Sequence, residues 1–135
     1  MVLEQTNKPY MVLLDGQLVN AGENLDTDIF SCLQETSATF FISGSANVGT
    51  PAVTVYLYVY DEASKKFLNL GSLGSFTNPD AISVCIVAAG ADASAGDATA
   101  IKLPMPAKFK FVLNAESMSG GDSCYVTVGA NYYNS

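Results

Sequence analysis

Hydrophobic and polar residues alternate with a period of two along most of the chain, which is the pattern of half-buried β-strands. The clearest case is residues 51–60, where aliphatic side chains alternate with Thr54 and three tyrosines. The same alternation occurs in residues 107–114 and 122–133, and residues 82–88 form the continuous apolar run of a well-buried strand. Further strands are predicted over residues 36–43 and, from weaker patterns, over 10–19, 27–33, 66–70 and 100–103.

Short segments rich in Gly, Asn, Asp and Ser separate these strands and predict turns. They lie at residues 15–16, 20–22, 44–50, 71–74, 78–80, 90–97 and 117–122. Residues 61–66 are predicted to be the loop of a hairpin, and no stretch of a dozen residues has a helical period. About eight short strands with frequent loops indicate an all-β sandwich or barrel. We expect one domain over residues 10–135, preceded by an extended arm at residues 1–9, with a long exposed loop over residues 88–100.

Charge and composition narrow the possible functions. The 135-residue chain has thirteen acidic and six basic residues, all six of them lysine, and a net charge of −7. It contains no His and no Trp. Imidazole catalysis, histidine metal sites and arginine clamps on phosphate therefore lack their residue, and a nucleic-acid partner lacks its basic face. The N-terminal residues lack the basic start and long apolar core of a signal peptide, so we expect a soluble product made in the cytoplasm, with no membrane partner.

No group of residues matches a known catalytic or metal-binding pattern. Asp26 and Asp28 are candidate calcium ligands together with Asp92 and Asp97, but the spacing is not that of an EF-hand loop, so solvated loop acids are the favoured interpretation. Residues 44–50 are glycine-containing but lack the lysine of a phosphate-binding loop. A serine nucleophile would have no His to activate it. We therefore predict no catalytic residue, no metal, no cofactor and no enzyme activity.

Three cysteines, Cys32, Cys85 and Cys124, are widely spaced and odd in number. This is neither a disulfide framework nor a zinc motif. Each occurs in a predicted strand beside apolar residues, where cysteine acts as a small core residue. We predict three separate, reduced and buried thiols.

Tyrosines provide the strongest candidate for a functional surface. Tyr56, Tyr58 and Tyr60 are predicted to share one face of a strand, and Tyr125, Tyr132 and Tyr133 extend that row if the two strands are neighbours. Two interpretations stay open: a half-buried sheet face with hydroxyls in solvent, or a contact surface, since tyrosine is enriched at interfaces. The candidate interface residues are Tyr56, Tyr58, Tyr60, Tyr125, Tyr10 and Met11.

The order of segments is similar to that of the small jelly-roll cement (decoration) proteins of tailed bacteriophages. After a short polar arm, the resemblance rests on residues 11–15, 40–42, 53–57, 101–104, 107–111 and 125–128. It covers most of the chain in layout and implies a single jelly-roll-like β-sandwich of about eight antiparallel strands. It contains no diagnostic motif, so no functional residue of that family is carried over.

The resemblance implies a virion structural protein on the outer capsid surface, made in the host cytoplasm. Its expected partners are the major capsid protein and further copies of itself, as a trimer, and its expected role is to stabilise contacts between capsomers. The alternative is a ligand-binding sandwich, a carbohydrate-binding or adhesion module, because rows of aromatic rings can stack on sugars. Such platforms favour Trp, which this chain lacks.

Overall fold

A computed structural model describes residues 10–32, 36–77, 82–91 and 98–133, and these residues form β-strands without a helix. The predicted arm at residues 1–9 lies outside the described residues. The strands, numbered in chain order, are β1 (Tyr10–Asn20), β2 (Asn24–Asp26), β3 (Phe30–Ser31), β4 (Ser37–Val48), β5 (Val53–Asp61), β6 (Lys66–Phe76), β7 (Ile82–Val87), β8 (Ala98–Ile101), β9 (Lys108–Asn114) and β10 (Ser123–Tyr133). The predicted all-β fold is confirmed.

Two sheets pack against each other. The first sheet has five strands in the order β1-β10-β4-β7-β8. The second sheet has the order β2-β9-β5-β6, and β3 is its fifth strand because it pairs with β9. The antiparallel pairs β1–β10, β2–β9, β4–β7 and β5–β6 are nested inside one another along the chain. Successive nested pairs belong to alternate sheets, so the chain forms a jelly roll, as predicted. The prediction of antiparallel strands throughout is wrong at one edge, where β8 pairs with β7 in parallel.

The core consists of the inward-facing side chains of both sheets. In β5, Val53, Val55 and Leu57 are buried, while the tyrosines between them are half-buried on the other side. Phenylalanines join the sheets at the centre: the ring of Phe40 in β4 lies 6.0 Å from that of Phe109 and 5.6 Å from that of Phe111, both in β9. These edge-to-face contacts and the burial around them fix which face of each strand points inward.

The predicted hairpin over residues 61–66 is present between β5 and β6. Asp61 pairs with Lys66, and its carboxylate accepts hydrogen bonds from the amides of Ala63 (3.3 Å) and Ser64 (3.2 Å). Hydrogen bonding, first from the Ser64 hydroxyl and then from these amides, holds the pKa of Asp61 below its usual range. Lys65 has a φ of 61° and closes the turn.

The strand predicted over residues 27–33 is shorter than expected. Asp26 ends β2 and Phe30 begins β3, and both strands pair with β9. Between them, the amide of Phe111 donates to the Thr27 hydroxyl at 3.0 Å, and the amide of Thr27 donates to the carbonyl of Phe111 at 3.0 Å. The threonine side chain therefore replaces a backbone acceptor where the chain leaves the sheet.

Three glycine-containing segments that the sequence predicts as turns are in strands instead. Residues 15–16 are part of β1, residues 44–48 continue β4, and residues 71–74 continue β6. Gly44 pairs with Val126, and a Cβ at this position would collide with the buried ring of Phe76 from the opposite sheet. In β6 the glycines lie where the register with β5 shifts, and Gly74 has a φ of 158° at such a bulge. Glycine here permits close sheet packing and bulges rather than chain reversal.

Replacing Gly44 with alanine is expected to destabilise the protein, because the new methyl group displaces the Phe76 ring from the core. Overpacking of this kind costs about 1–3 kcal/mol in free energy of unfolding. The measurement is chemical denaturation of Gly44→Ala beside Gly120→Ala, whose added methyl meets no atom within 4 Å. Equal stabilities of the two variants would show that the contact with Phe76 does not constrain position 44.

Candidate functional site

The predicted tyrosine row lies on the outer face of the second sheet, which contains β2, β9, β5 and β6 with β3. Tyr56, Tyr58 and Tyr60 of β5 are each half-buried there. Val112 of β9 lies directly opposite Tyr56 and is only 4 % exposed, although it faces away from the core between the sheets. The aromatic side chains therefore form a second, smaller apolar layer on this face.

Two lysines of β9 approach aromatic rings on the same face. The Nζ atom of Lys108 lies 5.3 Å from the ring centroid of Tyr60, and that of Lys110 lies 4.5 Å from the ring centroid of Phe67. The rings of Tyr60 and Phe67 are themselves 5.1 Å apart. Both lysine distances are within the range of cation–π attraction. We call the surface formed by Tyr56, Tyr58, Tyr60, Phe67, Lys108 and Lys110 the tyrosine–lysine face.

Carboxylates lie at the borders of the tyrosine–lysine face. Lys110 forms an ion pair with Asp26 of β2 at 3.6 Å, and Lys108 one with Glu62 of the hairpin at 3.9 Å. Lys108 and Glu62 are both well exposed, so their pair contributes little to stability, about 0–1 kcal/mol. In the other pair Asp26 is exposed, but the Lys110 side chain is only 18 % exposed. Each of the two ammonium groups is therefore approached by an aromatic ring and by a carboxylate.

The other three predicted interface residues belong to the first sheet, which contains β1 and β10. Tyr10 and Met11 begin β1, and Tyr125 lies near the start of β10. The six residues therefore do not form one surface, and Tyr125 does not extend the tyrosine row because β10 is not a neighbour of β5. Tyr132 is buried in the core. Sheet membership follows from the nested pairing of distant strands, which alternation within one strand does not reveal.

Apart from Tyr10, sequence reasoning missed the outer face of the first sheet, in which β1, β10, β4 and β7 are neighbours. One row across it consists of Val12, Gly129, Phe41 and Val84, in register on β1, β10, β4 and β7. The adjacent row is Tyr10, Asn131, Thr39 and Ile86. The Tyr10 hydroxyl lies over Gly129, where a Cβ would collide with it, and its ring centroid is 6.4 Å from that of Phe41. We call this surface, together with Ile82, the uncharged face.

The charge content of the two sheets differs sharply. All five strands of the first sheet are within the described ranges, and they contain one charged residue, Asp15. The shorter strands of the other sheet contain five: Asp26, Asp61, Lys66, Lys108 and Lys110. In the sequence, this difference is present as a lack of Asp, Glu and Lys in the segments that form β4, β7 and β10. No single segment shows that the three lie side by side in one sheet.

The candidate metal ligands are not brought together in the described residues. Asp26 is the ion-pair partner of Lys110, and Asp28 lies two residues further along the chain. Within residues 10–32, 36–77, 82–91 and 98–133 no group of three or more potential metal ligands occurs. Asp92 and Asp97 lie outside these ranges. Residues 44–48 are part of β4, so the glycine-containing segment is not a phosphate-binding loop.

All three cysteines are buried, and none forms a disulfide, as predicted. Burial raises the pKa of the Cys85 thiol, and a hydrogen bond with Thr99 opposes this rise only in part. Burial also raises the pKa of the Cys124 thiol. A raised pKa keeps the thiols protonated and unreactive. They are core residues and do not contribute to either outer face.

Comparison of the sequence with protein-family models gives no match, and comparison with curated proteins gives none either. In the described part of the chain, no helix has the length and hydropathy that a membrane span requires.

The native thiols are expected to react slowly with an alkylating reagent at pH 8, and all three are expected to react after unfolding. Above the thiol pKa of the unfolded chain, about 8.5, the unfolded state releases protons that the native state keeps. Stability should therefore fall as the pH rises from 8 to 9.5. Calorimetry should show that the free energy of unfolding falls less over this pH range for Cys85→Ala than for the original protein. Rapid labelling of the native protein would contradict the burial of the cysteines.

Proposed function

We propose that this protein is a virion structural protein that decorates the outer surface of a tailed-phage capsid and stabilises contacts between neighbouring capsomers. The jelly-roll sandwich is the fold that the sequence resemblance implies for such a protein. The observation that carries the proposal is the tyrosine–lysine face, where amphipathic rings and ammonium groups share one side of a chain whose net charge is −7.

The tyrosine–lysine face suits a protein surface of acidic and carbonyl-rich character. Tyrosine offers a large flat contact area with little loss of side-chain freedom, and its hydroxyl both donates and accepts hydrogen bonds. The exposed ion pair of Lys108 lets a capsid carboxylate take the place of Glu62. The proposed partner is accordingly the major capsid protein, contacted through acidic side chains and backbone carbonyls.

The protein acts in this proposal as a homo-oligomer, a trimer by the resemblance, assembled in the host cytoplasm before it binds the capsid. It requires no cofactor, nucleic acid or membrane. Its contribution is contact area and shape, since a decoration protein stabilises the assembled lattice by binding it more tightly than the separate subunits.

A carbohydrate-binding module is the second candidate, favoured by the row of three tyrosines along β5. Sugar stacking requires an aromatic ring with an open face. The rings of Tyr60 and Phe67 contact each other, and each is approached by a lysine ammonium group. These contacts favour a protein partner over a sugar.

Replacing Tyr56 and Tyr58 together with serine is expected to weaken capsid binding by about tenfold or more, since buried tyrosines at an interface contribute on the order of 1–2 kcal/mol each. The measurement is co-sedimentation of the full chain with purified capsids that lack it. Thr54→Ser is the matched control, because Thr54 is half-buried on the same face of the same strand. Raising the salt from 50 to 500 mM should weaken binding of the original protein because it screens the lysines.

Three results would overturn the proposal: no sedimentation with any capsid, equal binding by the double variant and the Thr54 control, or a glycan-array signal that the double variant loses. The melting temperature of each variant separates loss of binding from loss of fold.

A further inference from the structure

We propose that the uncharged face, the outer face of the first sheet, is the surface through which copies of this chain associate with one another. This deepens the homo-oligomeric part of the proposed function by assigning its contact surface, but it does not require a capsid. The face is defined above by Tyr10, Val12, Phe41, Val84, Ile86 and Ile82, with small neutral residues between them.

The first argument is the apolar surface that these strands leave in solvent. Tyr10, Val12 and Ile82 are 56 %, 53 % and 59 % exposed, and Phe41, Val84 and Ile86 are half-buried. They are aligned by register across four adjacent strands rather than scattered over the surface. A contiguous apolar patch of this kind on a small domain marks a partner surface.

The second argument is charge, and it identifies the partner as another copy. Two copies of a chain with a net charge of −7 repel each other, and the repulsion is weakest where acidic groups are absent. Residues near the axis of a symmetric assembly also meet their own copies, so a charged group there faces a like charge. The five strands contain only Asp15, which suits a surface that meets itself. A basic partner would gain nothing from such a surface.

The polar residues of the face support the same conclusion. Thr39 and Asn131 lie beside each other on β4 and β10, as do Ser43 and Thr127. Hydroxyl and amide groups both donate and accept hydrogen bonds, so they can pair with identical groups from a second copy. Carboxylates or ammonium groups in these positions could only accept or only donate.

The dimensions of the face are adequate for a stable contact. β1, β10 and β4 have 11 or 12 residues and are about 37 Å long, whereas β7 has six residues and is about 20 Å long, so at about 4.8 Å per strand the four cover about 600 Å². A standard protein interface buries about 800 Å² on each partner. The outer face therefore supplies about three-quarters of the area of a standard interface without any contribution from loops.

The test is sedimentation velocity of the full chain without capsids, over a concentration series at 50 and 500 mM salt. We expect dimers or trimers, and a higher association constant at 500 mM salt because salt screens the repulsion between copies. Ile82→Glu and Val12→Glu should each lower the association constant at least tenfold, since each places like charges in the contact.

Leu68→Glu is the matched control. Leu68 is 51 % exposed, is in β6 of the other sheet and undergoes the same change of charge, so its association constant should remain within about twofold of the original. Circular dichroism and melting temperature identify any variant that fails to fold. If Ile82→Glu or Val12→Glu fails to fold, the other of these two variants is compared with the Leu68 control.

Monomers at every concentration and salt would overturn the assignment, and so would equal losses in the Leu68 control and the Ile82 variant. Association that is lost in the Tyr56/Tyr58 double variant but retained by Ile82→Glu would place the contact on the tyrosine–lysine face and also overturn it. Self-association and capsid binding are measured separately. A variant that no longer self-associates but still binds capsids would show that the two contacts use different surfaces.

Discussion

Contact between Phe40 of β4 and the two phenylalanines of β9 holds the sandwich together, and the composition of both outer faces depends on it. Phe109 and Phe111 are 5.7 Å apart and meet Phe40 edge-on from the opposite sheet. Because side chains alternate along a strand, burying these rings turns Lys108 and Lys110 outward on one sheet and Phe41 outward on the other. A slip of one residue in either strand would exchange the buried and exposed sets, so the core and the outer surfaces are specified by the same register.

Alternation within single strands accounts for the part of the fold that is predictable from sequence. It locates β5, β9 and β10 to within a residue or two, and local turn chemistry locates the hairpin at Asp61. The errors have a non-local origin. Position 44 is a glycine within a strand, because the ring of Phe76, thirty-two residues further along the chain, occupies the space that a side chain would fill. Local propensity predicts a turn there, since the neighbour that explains the glycine belongs to the opposite sheet.

The same distinction separates the predicted from the unpredicted part of the candidate site. The tyrosine row is predictable because its three members share one strand. Lys108 and Lys110 are predictable as outward residues, but their positions over Tyr60 and Phe67 require the pairing of β9, β5 and β6. The uncharged face requires four strands from both ends and the middle of the chain. In sequence it is only a lack of charge in separate segments, and it becomes a surface once the jelly roll places β1, β10, β4 and β7 side by side.

The two faces are on opposite sides of the sandwich, about 10 Å of packed core apart, and this separation has a mechanistic consequence. An assembly formed through the uncharged face leaves the tyrosine–lysine face of each copy unobstructed, so the two contacts do not compete for the same side chains. Each docking contact can then be weak, because several copies held together act as a multivalent ligand whose overall affinity exceeds that of any one contact. In the proposed assembly the tyrosines and lysines of several copies meet the repeated capsid surface together, so no single contact has to be strong. The division of charge between the two sheets therefore keeps the surface proposed for self-association apart from the surface proposed for capsid binding.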